Sequence, residues 1–283
     1  MRVLVTGAAG QVGREVVDVC ERAGDDVVAV DRSAVDMTDR DAVLGAVTMV
    51  RPHAVIHTAA WTAVDACEAD PARAFAANAL AVRWVADGCR LADAHLVTVS
   101  TDYVFDGTKS TPYHEWDTPN PQSVYGASKR AGEIEALSGG VPAALVRTSW
   151  VCGRHGSNMV KTVLRLAGEP GRLRFVHDQV GHPTFAADLA VMLRRLAVDR
   201  RTGVHHVTNQ GAVSWHDFVA EVLRAAGHDP ARVEAIATAD LQPPRPAPRP
   251  ANSVLDNAVL VAAGLPLLRD FRAPLAELVA ELT

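Results

Sequence analysis

The chain has 283 residues, 48% of them hydrophobic and 22% charged, with a net charge of −5 and a mean hydropathy of +0.06. That balance excludes a disordered chain, and a pI near 6.1 excludes a basic field for nucleic acid or an anionic membrane. The length predicts one large domain or two intimate ones, able to bury roughly three-quarters of the unfolded surface without disulfide staples.

Short apolar runs at 2–6, 26–30, 54–58, 95–100 and 143–148 read as strands. Their near-continuous hydrophobicity suits parallel strands covered on both faces. Helices are predicted between them at about 10–24, 39–50, 71–92 and 122–138. Asp39 caps the second, and Asp70-Pro71 starts the third with a capping carboxylate followed by proline in the first turn. This alternation predicts an α/β fold: a Rossmann-like doubly wound parallel sheet over residues 1–150.

After residue 150 the rhythm loosens. Helices are expected at 156–168, 186–197, 214–226 and 273–282, and strands at 173–177 and 204–207. Residues 242–250 hold five prolines in nine positions and must be extended loop. Residues 151–283 should form mainly a smaller substrate-binding lobe, with segments around 173–200 returning to the sheet.

The four cysteines (Cys20, Cys67, Cys89 and Cys152) contain no C-x-x-C pair, so reduced thiols in a cytoplasmic protein are expected. A strand starting at residue 2 leaves no room for a signal peptide, and no apolar run reaches the ~20 residues of a membrane span. The eleven histidines form no ligand array, so no metal is expected.

Gly7, Gly10 and Gly13 follow the first strand and enter a helix, the context of a dinucleotide fingerprint. Gly7 permits the tight turn, Gly10 lets the backbone approach a pyrophosphate, and Gly13 lets helix and strand pack closely. The helix N-terminus, with Gln11 and Val12 in its first turn, then meets the phosphate charge. Asp31 ends the second strand, where a carboxylate holds the adenosine ribose and favours NADH. Arg32 follows at once and could pair with a 2′-phosphate, so NADPH stays open. Asp36 and Met37 could flank the adenine, although an acidic turn before the next helix explains them equally.

Tyr125 and Lys129 are four apart on the helix over 122–138, hence neighbours on one face. An ammonium beside a phenol is expected to lower the phenol's pKa toward a useful catalytic value, and lysine has donors left to grip a nicotinamide ribose. Thr101 lies at the end of the fourth strand, where ligands of open α/β sheets sit, and can hydrogen-bond a substrate carbonyl.

Seven collinear stretches make the resemblance specific: the glycine turn with Gln11, Ala59–Asp65 (AAWTAVD), Ser100–Gly107 (STDYVFDG), Val124–Lys129, Arg147–Val151 (RTSWV), Asp178–Thr184 (DQVGHPT) and Arg249–Ser253 (RPANS). The chain resembles the dTDP-4-dehydrorhamnose reductase family of extended short-chain dehydrogenase/reductases. The resemblance implies a catalytic trio of Thr101, Tyr125 and Lys129. It adds Ala59 and Ala60 as cofactor contacts, and Thr62, Ala63 and Val64 as the floor near the reacting carbon.

By the same resemblance Thr101, Asp102, Tyr103 and Trp150 face the sugar, and Asn158, Lys161 and Arg249 reach toward the nucleotide or diphosphate. Asn78 takes the proton-relay asparagine role of the wider superfamily, and 178–184 forms a binding loop. Cys152 stands where many relatives carry tyrosine, which is expected to widen the sugar pocket. The implied activity is NADPH- or NADH-dependent reduction of a dTDP-4-keto-6-deoxy-L-sugar by a monomer or homodimer. A sibling ketoreductase or epimerase, or a non-catalytic regulatory homologue, are the alternatives.

Overall fold

A computed structural model describes residues 1–283. The first half runs β1 (Arg2–Thr6), α1 (Gln11–Arg22), β2 (Asp26–Val30), α2 (Arg40–Val50), β3 (Ala54–His57), α3 (Val64–Ala69), α4 (Pro71–Phe75), α5 (Ala81–Ala92), β4 (His95–Thr101), α6 (Val124–Ser138) and β5 (Ala143–Thr148). The second runs β6 (Val151–Cys152), α7 (Met159–Ala167), β7 (Leu173–Val176), β8 (Val180–Gly181), β9 (Thr184–Phe185), α8 (Ala186–Val198), β10 (Gly203–His206), β11 (Val213–Ser214), α9 (Trp215–Ala225), β12 (Val233–Ile236), α10 (Ala258–Ala262) and α11 (Arg272–Leu282).

Six parallel strands form the main sheet in the order β10-β5-β4-β3-β1-β2. Every residue of β3 and β5 is buried because both faces are covered. Val3, Val5, Ile56 and Val97 pack one face against Val16 of α1 and Leu189, Leu193 and Leu196 of α8. Leu4, Val55 and Leu96 pack the other against Val43 and Val47 of α2, Val82 and Val85 of α5 and Ala136 of α6. Each such aliphatic side chain contributes about 1.5–3 kcal/mol by leaving water. A second core, around Val163, Phe218, Val222, Phe271 and Leu275, joins α7, α9 and α11 into the smaller lobe.

Two expectations need correction. The helix predicted over 71–92 is interrupted by a π-turn at Ala76–Leu80, where Asn78 is drawn inward by hydrogen bonds described below. The segment around 173–200 returns to the sheet only in part. β7 pairs with β12 inside the smaller lobe, and the strand that joins the main sheet is β10, beside β5. A parallel return requires a crossover helix, and α8 supplies it only after residue 185. The short helices α3 and α10 were not anticipated. No helix is long and apolar enough to cross a membrane.

The interior holds histidines whose burial sets a pH dependence. Burial pushes His57 and His206 down to about 3, and His95 and His182 down to about 4, from an ordinary 6.5. Below pH 6.5 the unfolded chain therefore binds protons that the folded chain refuses, so stability falls as pH drops toward 4. Buried Asp102, pushed up to about 6, acts in the opposite sense below that pH, but for one proton against four. The urea midpoint is expected to be clearly lower at about pH 5 than at about pH 7.5, and equal midpoints would contradict neutral buried imidazoles.

Candidate active site

The chain leaves β1 toward β2 on one side and resumes at β3 on the other, so a crevice opens between the ends of β1 and β3. Gly7 turns there at φ +70°, and a Cβ on it would lie 2.6 Å from the Ala59 backbone nitrogen. A Cβ on Gly13 would lie 2.1 Å from the Gly7 carbonyl oxygen, so only glycine lets α1 start against the turn. The first turn of α1 has no side-chain cap, which leaves backbone N–H groups for an anion.

A cavity of about 480 Å³ continues past Gly10 to Asp31, Arg32, Asp36, Met37, Ala59, Ala60 and Trp61. The Ser33 N–H and hydroxyl donate to Asp31 Oδ1 at 2.8 and 2.6 Å, and Thr38 does the same for Asp36 Oδ1 at 2.9 and 2.8 Å. These bonds hold both carboxyls below the usual carboxylate range. An unblocked helix start, a glycine-lined gap and a polar edge at the end of β2 fit a dinucleotide. Gln11 and Val12 present only backbone to it. The Gln11 side chain donates to the Val151 carbonyl and accepts from Asn158, while Val12 packs on the core.

The three residues expected to act on the substrate meet at the end of β4. Ser123 caps α6 by accepting from the Gly126 N–H at 3.1 Å, and Glu68 accepts from the Val124 N–H at 2.8 Å. A Cβ on Gly126 would lie 2.2 Å from the Tyr103 carbonyl oxygen, so this glycine lets the helix abut the turn after β4. Tyr125 is thereby buried edge-on to Tyr103, with ring centroids 5.4 Å apart, close to the Thr101 hydroxyl. Thr101 Oγ1 donates to Asp102 Oδ1 at 2.9 Å and accepts from the Tyr103 N–H at 3.2 Å. Lys129, one turn further along α6, donates to the Val99 carbonyl at 2.7 Å.

The expected lowering of the phenol is not met. Burial pushes Tyr125 well above its ordinary value, with only the nearby Thr101 hydroxyl opposing it. Burial also holds Lys129 down to about 8, since an enclosed ammonium loses more hydration than Glu133 returns. Asp102, buried with Oδ2 unpartnered, is pushed up to about 6 by burial, against the hydrogen bond it accepts from Thr101. The site thus holds a protonated phenol throughout the neutral range, the form a proton donor needs.

The RmlD substrate binding domain family matches residues 1–283. The chain belongs to this family. The dTDP-4-dehydrorhamnose reductase of Streptomyces griseus is 44% identical over 98% of this chain and 92% of its own length. A Streptomyces antibioticus protein named "Probable dTDP-4,6-dihydroxy-2-methyloxan-3-one 4-ketoreductase" is 43% identical over 98% and 94%. The crystal structure of Bacillus anthracis dTDP-4-dehydrorhamnose reductase in complex with NADP superposes with a TM-score of 0.95 at 35% identity, covering 99% of both chains.

Other family positions lie where the sequence alone does not lead. Asn78 is fully buried and saturated: Oδ1 accepts from the Trp61 N–H, while Nδ2 donates to the Trp61 carbonyl and Ser128 Oγ. It clamps the loop after β3 to α6 and has no donor left for a relay. Asn158 caps α7 through the Lys161 N–H and donates to Gln11 and to the Gly153 carbonyl, at 2.7 Å each. The Lys161 ammonium is taken by the Arg154 and Gly156 carbonyls. Both therefore brace the 151–158 loop instead of extending toward a nucleotide.

Arg249 is likewise committed, gripping Asp65 with both terminal nitrogens at 2.7 and 2.8 Å. This pair ties the proline-rich segment to α3, and an arriving diphosphate would have to displace a carboxylate. Trp150, at φ +45°, is half-buried and stacks face to face on Trp215 with centroids 3.6 Å apart, with Gly181 packed close enough to the indole that a Cβ there would lie 2.7 Å from it. Thr62 and Ala63 are exposed at the entry to α3, with Val64 half-buried. The 178–184 loop is pinned by Thr238, which donates to Asp178. Cys152 packs in the core of the smaller lobe, so the expected widening of a sugar pocket has no counterpart at its side chain.

Sequence reasoning missed the support beneath α6. Glu133 takes two bonds from Arg147 (2.8 and 2.9 Å), one from Ser100 (2.7 Å) and one from Arg130 (2.9 Å). The available sign was an arginine inside an otherwise apolar strand, Ala143–Thr148, which must be paired if buried.

Proposed function

We propose that the chain reduces the C4 ketone of a dTDP-4-keto-6-deoxy-L-sugar with NADPH or NADH, converting dTDP-4-dehydro-L-rhamnose to dTDP-L-rhamnose. One observation carries the reading: Thr101, Tyr125 and Lys129 converge at the end of β4, beside the glycine-lined crevice. The names of the close relatives, with the NADP in the Bacillus anthracis enzyme, supply the substrate and cofactor class. The four cysteines are free and buried, which suits action in a reducing cytoplasm.

When bound, the reduced dinucleotide supplies a hydride to the carbonyl carbon. Tyr125 delivers its phenolic proton to the carbonyl oxygen as negative charge builds there. Thr101, beside that phenol, orients the same oxygen. Lys129 offers the positive charge that stabilises the phenolate left behind, and has donors for the nicotinamide ribose. Buried Asp102, half-buried Tyr103 and Trp150, and the Thr62–Val64 floor are the groups that face the sugar in this reading.

Loss of reduced-nicotinamide absorbance, stoichiometric with the keto-sugar consumed, tests the reading. Product formation without net cofactor loss would indicate an epimerase, and stable binding without turnover a regulatory homologue. Arg32, exposed and outside any ion pair, is the group for a 2′-phosphate, whereas Asp31 suits an unmodified ribose. Arg32→Ala should raise the KM for NADPH about tenfold and that for NADH less than about twofold. Equal effects on both cofactors would remove this assignment.

A further inference from the structure

Beneath α6, alternate residues of three strands bring buried polar side chains together on one face of the sheet. Leu4, Val55 and Leu96 belong to the core on that face, so by the two-residue period Thr6, His57, Thr98 and Ser100 point the same way. All four are buried. Thr6 Oγ1 and His57 Nδ1 are hydrogen-bonded at 2.7 Å, while His57 Nε2 is sealed from solvent without a partner. Lys129 reaches into the same stripe. It donates to the carbonyl of Val99, whose neighbour Thr98 is the register partner of His57 across the β3–β4 ladder. An ammonium has three donors, and Val99 occupies one.

The tautomer follows from what lies on each side of the ring. A proton on Nε2 would leave a buried N–H unpaired in the field of the Lys129 ammonium. A proton on Nδ1, donated to Thr6, leaves Nε2 a lone pair. Burial and the charge of Lys129 push His57 down to about 3, so the ring is neutral. We propose that His57 is a positioning residue for Lys129, its Nε2 lone pair accepting a hydrogen bond from one buried water that the ammonium holds. The effect on rate rests on the reductase reading, whereas the contact is a property of the folded chain alone.

The charged and titratable groups around Lys129 are Tyr125 and Glu133 on its own helix, His57 from β3, Asp102 after β4, and Arg147 from β5, which Glu133 holds. With Lys129 at about 8, turnover should fall above that pH as the ammonium is lost. Removing the His57 acceptor should bring this limb lower still.

Two measurements test the contact and its consequence. In the protein without dinucleotide, the ¹⁵N shifts of His57 should report a proton on Nδ1, and Lys129→Met should move the Nε2 resonance. A proton on Nε2, or no response to Lys129→Met, overturns the proposal. In turnover, His57→Leu should lower the alkaline limb of kcat/KM by about one pH unit and the rate near that limb by about tenfold, with His57→Gln restoring most of both. An unmoved limb in His57→Leu, or equal losses in the Leu and Gln variants, overturns the positioning role. Should His57→Leu fail to fold, Thr6→Val removes the hydroxyl that fixes the ring and should shift the limb the same way; an unmoved limb there is equally fatal. Absence of turnover in the unaltered protein would sink the proposed function and leave the ¹⁵N result to decide the contact.

Discussion

Tyr125→Phe is expected to lower kcat with dTDP-4-dehydro-L-rhamnose by at least about 100-fold while leaving dinucleotide affinity within about twofold. The substitution removes one oxygen from a ring whose burial and edge-on packing on Tyr103 are unchanged, so the helix should keep its place. What is lost is the phenol beside Thr101 that the proposed mechanism uses as its proton donor. The oxygen generated by reduction would then have to find its proton in water that the site excludes. Because burial keeps the phenol protonated across the neutral range, the loss should be nearly independent of pH below the lysine limb. Single-turnover rates and dinucleotide titration separate the two effects. A Tyr125→Phe enzyme with full kcat would remove Tyr125 from the chemistry, and one that failed to bind dinucleotide would make its role structural.

Glu133→Gln is expected to be the most destabilising of the conservative changes, by about 3–5 kcal/mol in urea unfolding. Glu133 and Arg147 are both essentially closed to solvent, and Glu133 also receives Ser100 and Arg130. The neutral amide leaves a guanidinium charge in the interior with no counter-ion, the costly half of a broken buried pair. Replacing both partners by apolar groups removes the stranded charge. Glu133→Leu with Arg147→Met should therefore cost less than either single change. A double variant as unstable as the sum of the singles would show that the pair stabilises through geometry beyond its charges.

The strand and helix pattern of the first half was open to reading because each element carries its own period. β1, β2 and β5 begin and end where the apolar runs do, and the capping carboxylates of Asp39 and Asp70 accept from the N–H groups of their helices. Local chemistry of this kind needs no partner. The second half was less legible for the opposite reason. Whether a four-residue strand pairs with the main sheet or with another short strand depends on the crossover between them: β7 (Leu-Arg-Phe-Val) is the more apolar of the two, yet β10 (Gly-Val-His-His) is the one that joins the main sheet.

The site divides along the same line. Glycine spacing, and a tyrosine and lysine one turn apart, are properties of the chain, since turn and helix geometry convert fixed separations into fixed neighbours. Residues far apart in sequence obey no such rule. Asn158 met Gln11, Arg249 met Asp65 and Asn78 met Trp61 and Ser128, each consuming donors that motif reasoning had assigned elsewhere. The amino-acid order by itself determined that a glycine turn meets a helix start and that a tyrosine and a lysine share one helix face. Only the packed structure decided their ionisation, because burial, a collective effect of every surrounding element, outweighs the single charge that the spacing places beside the phenol.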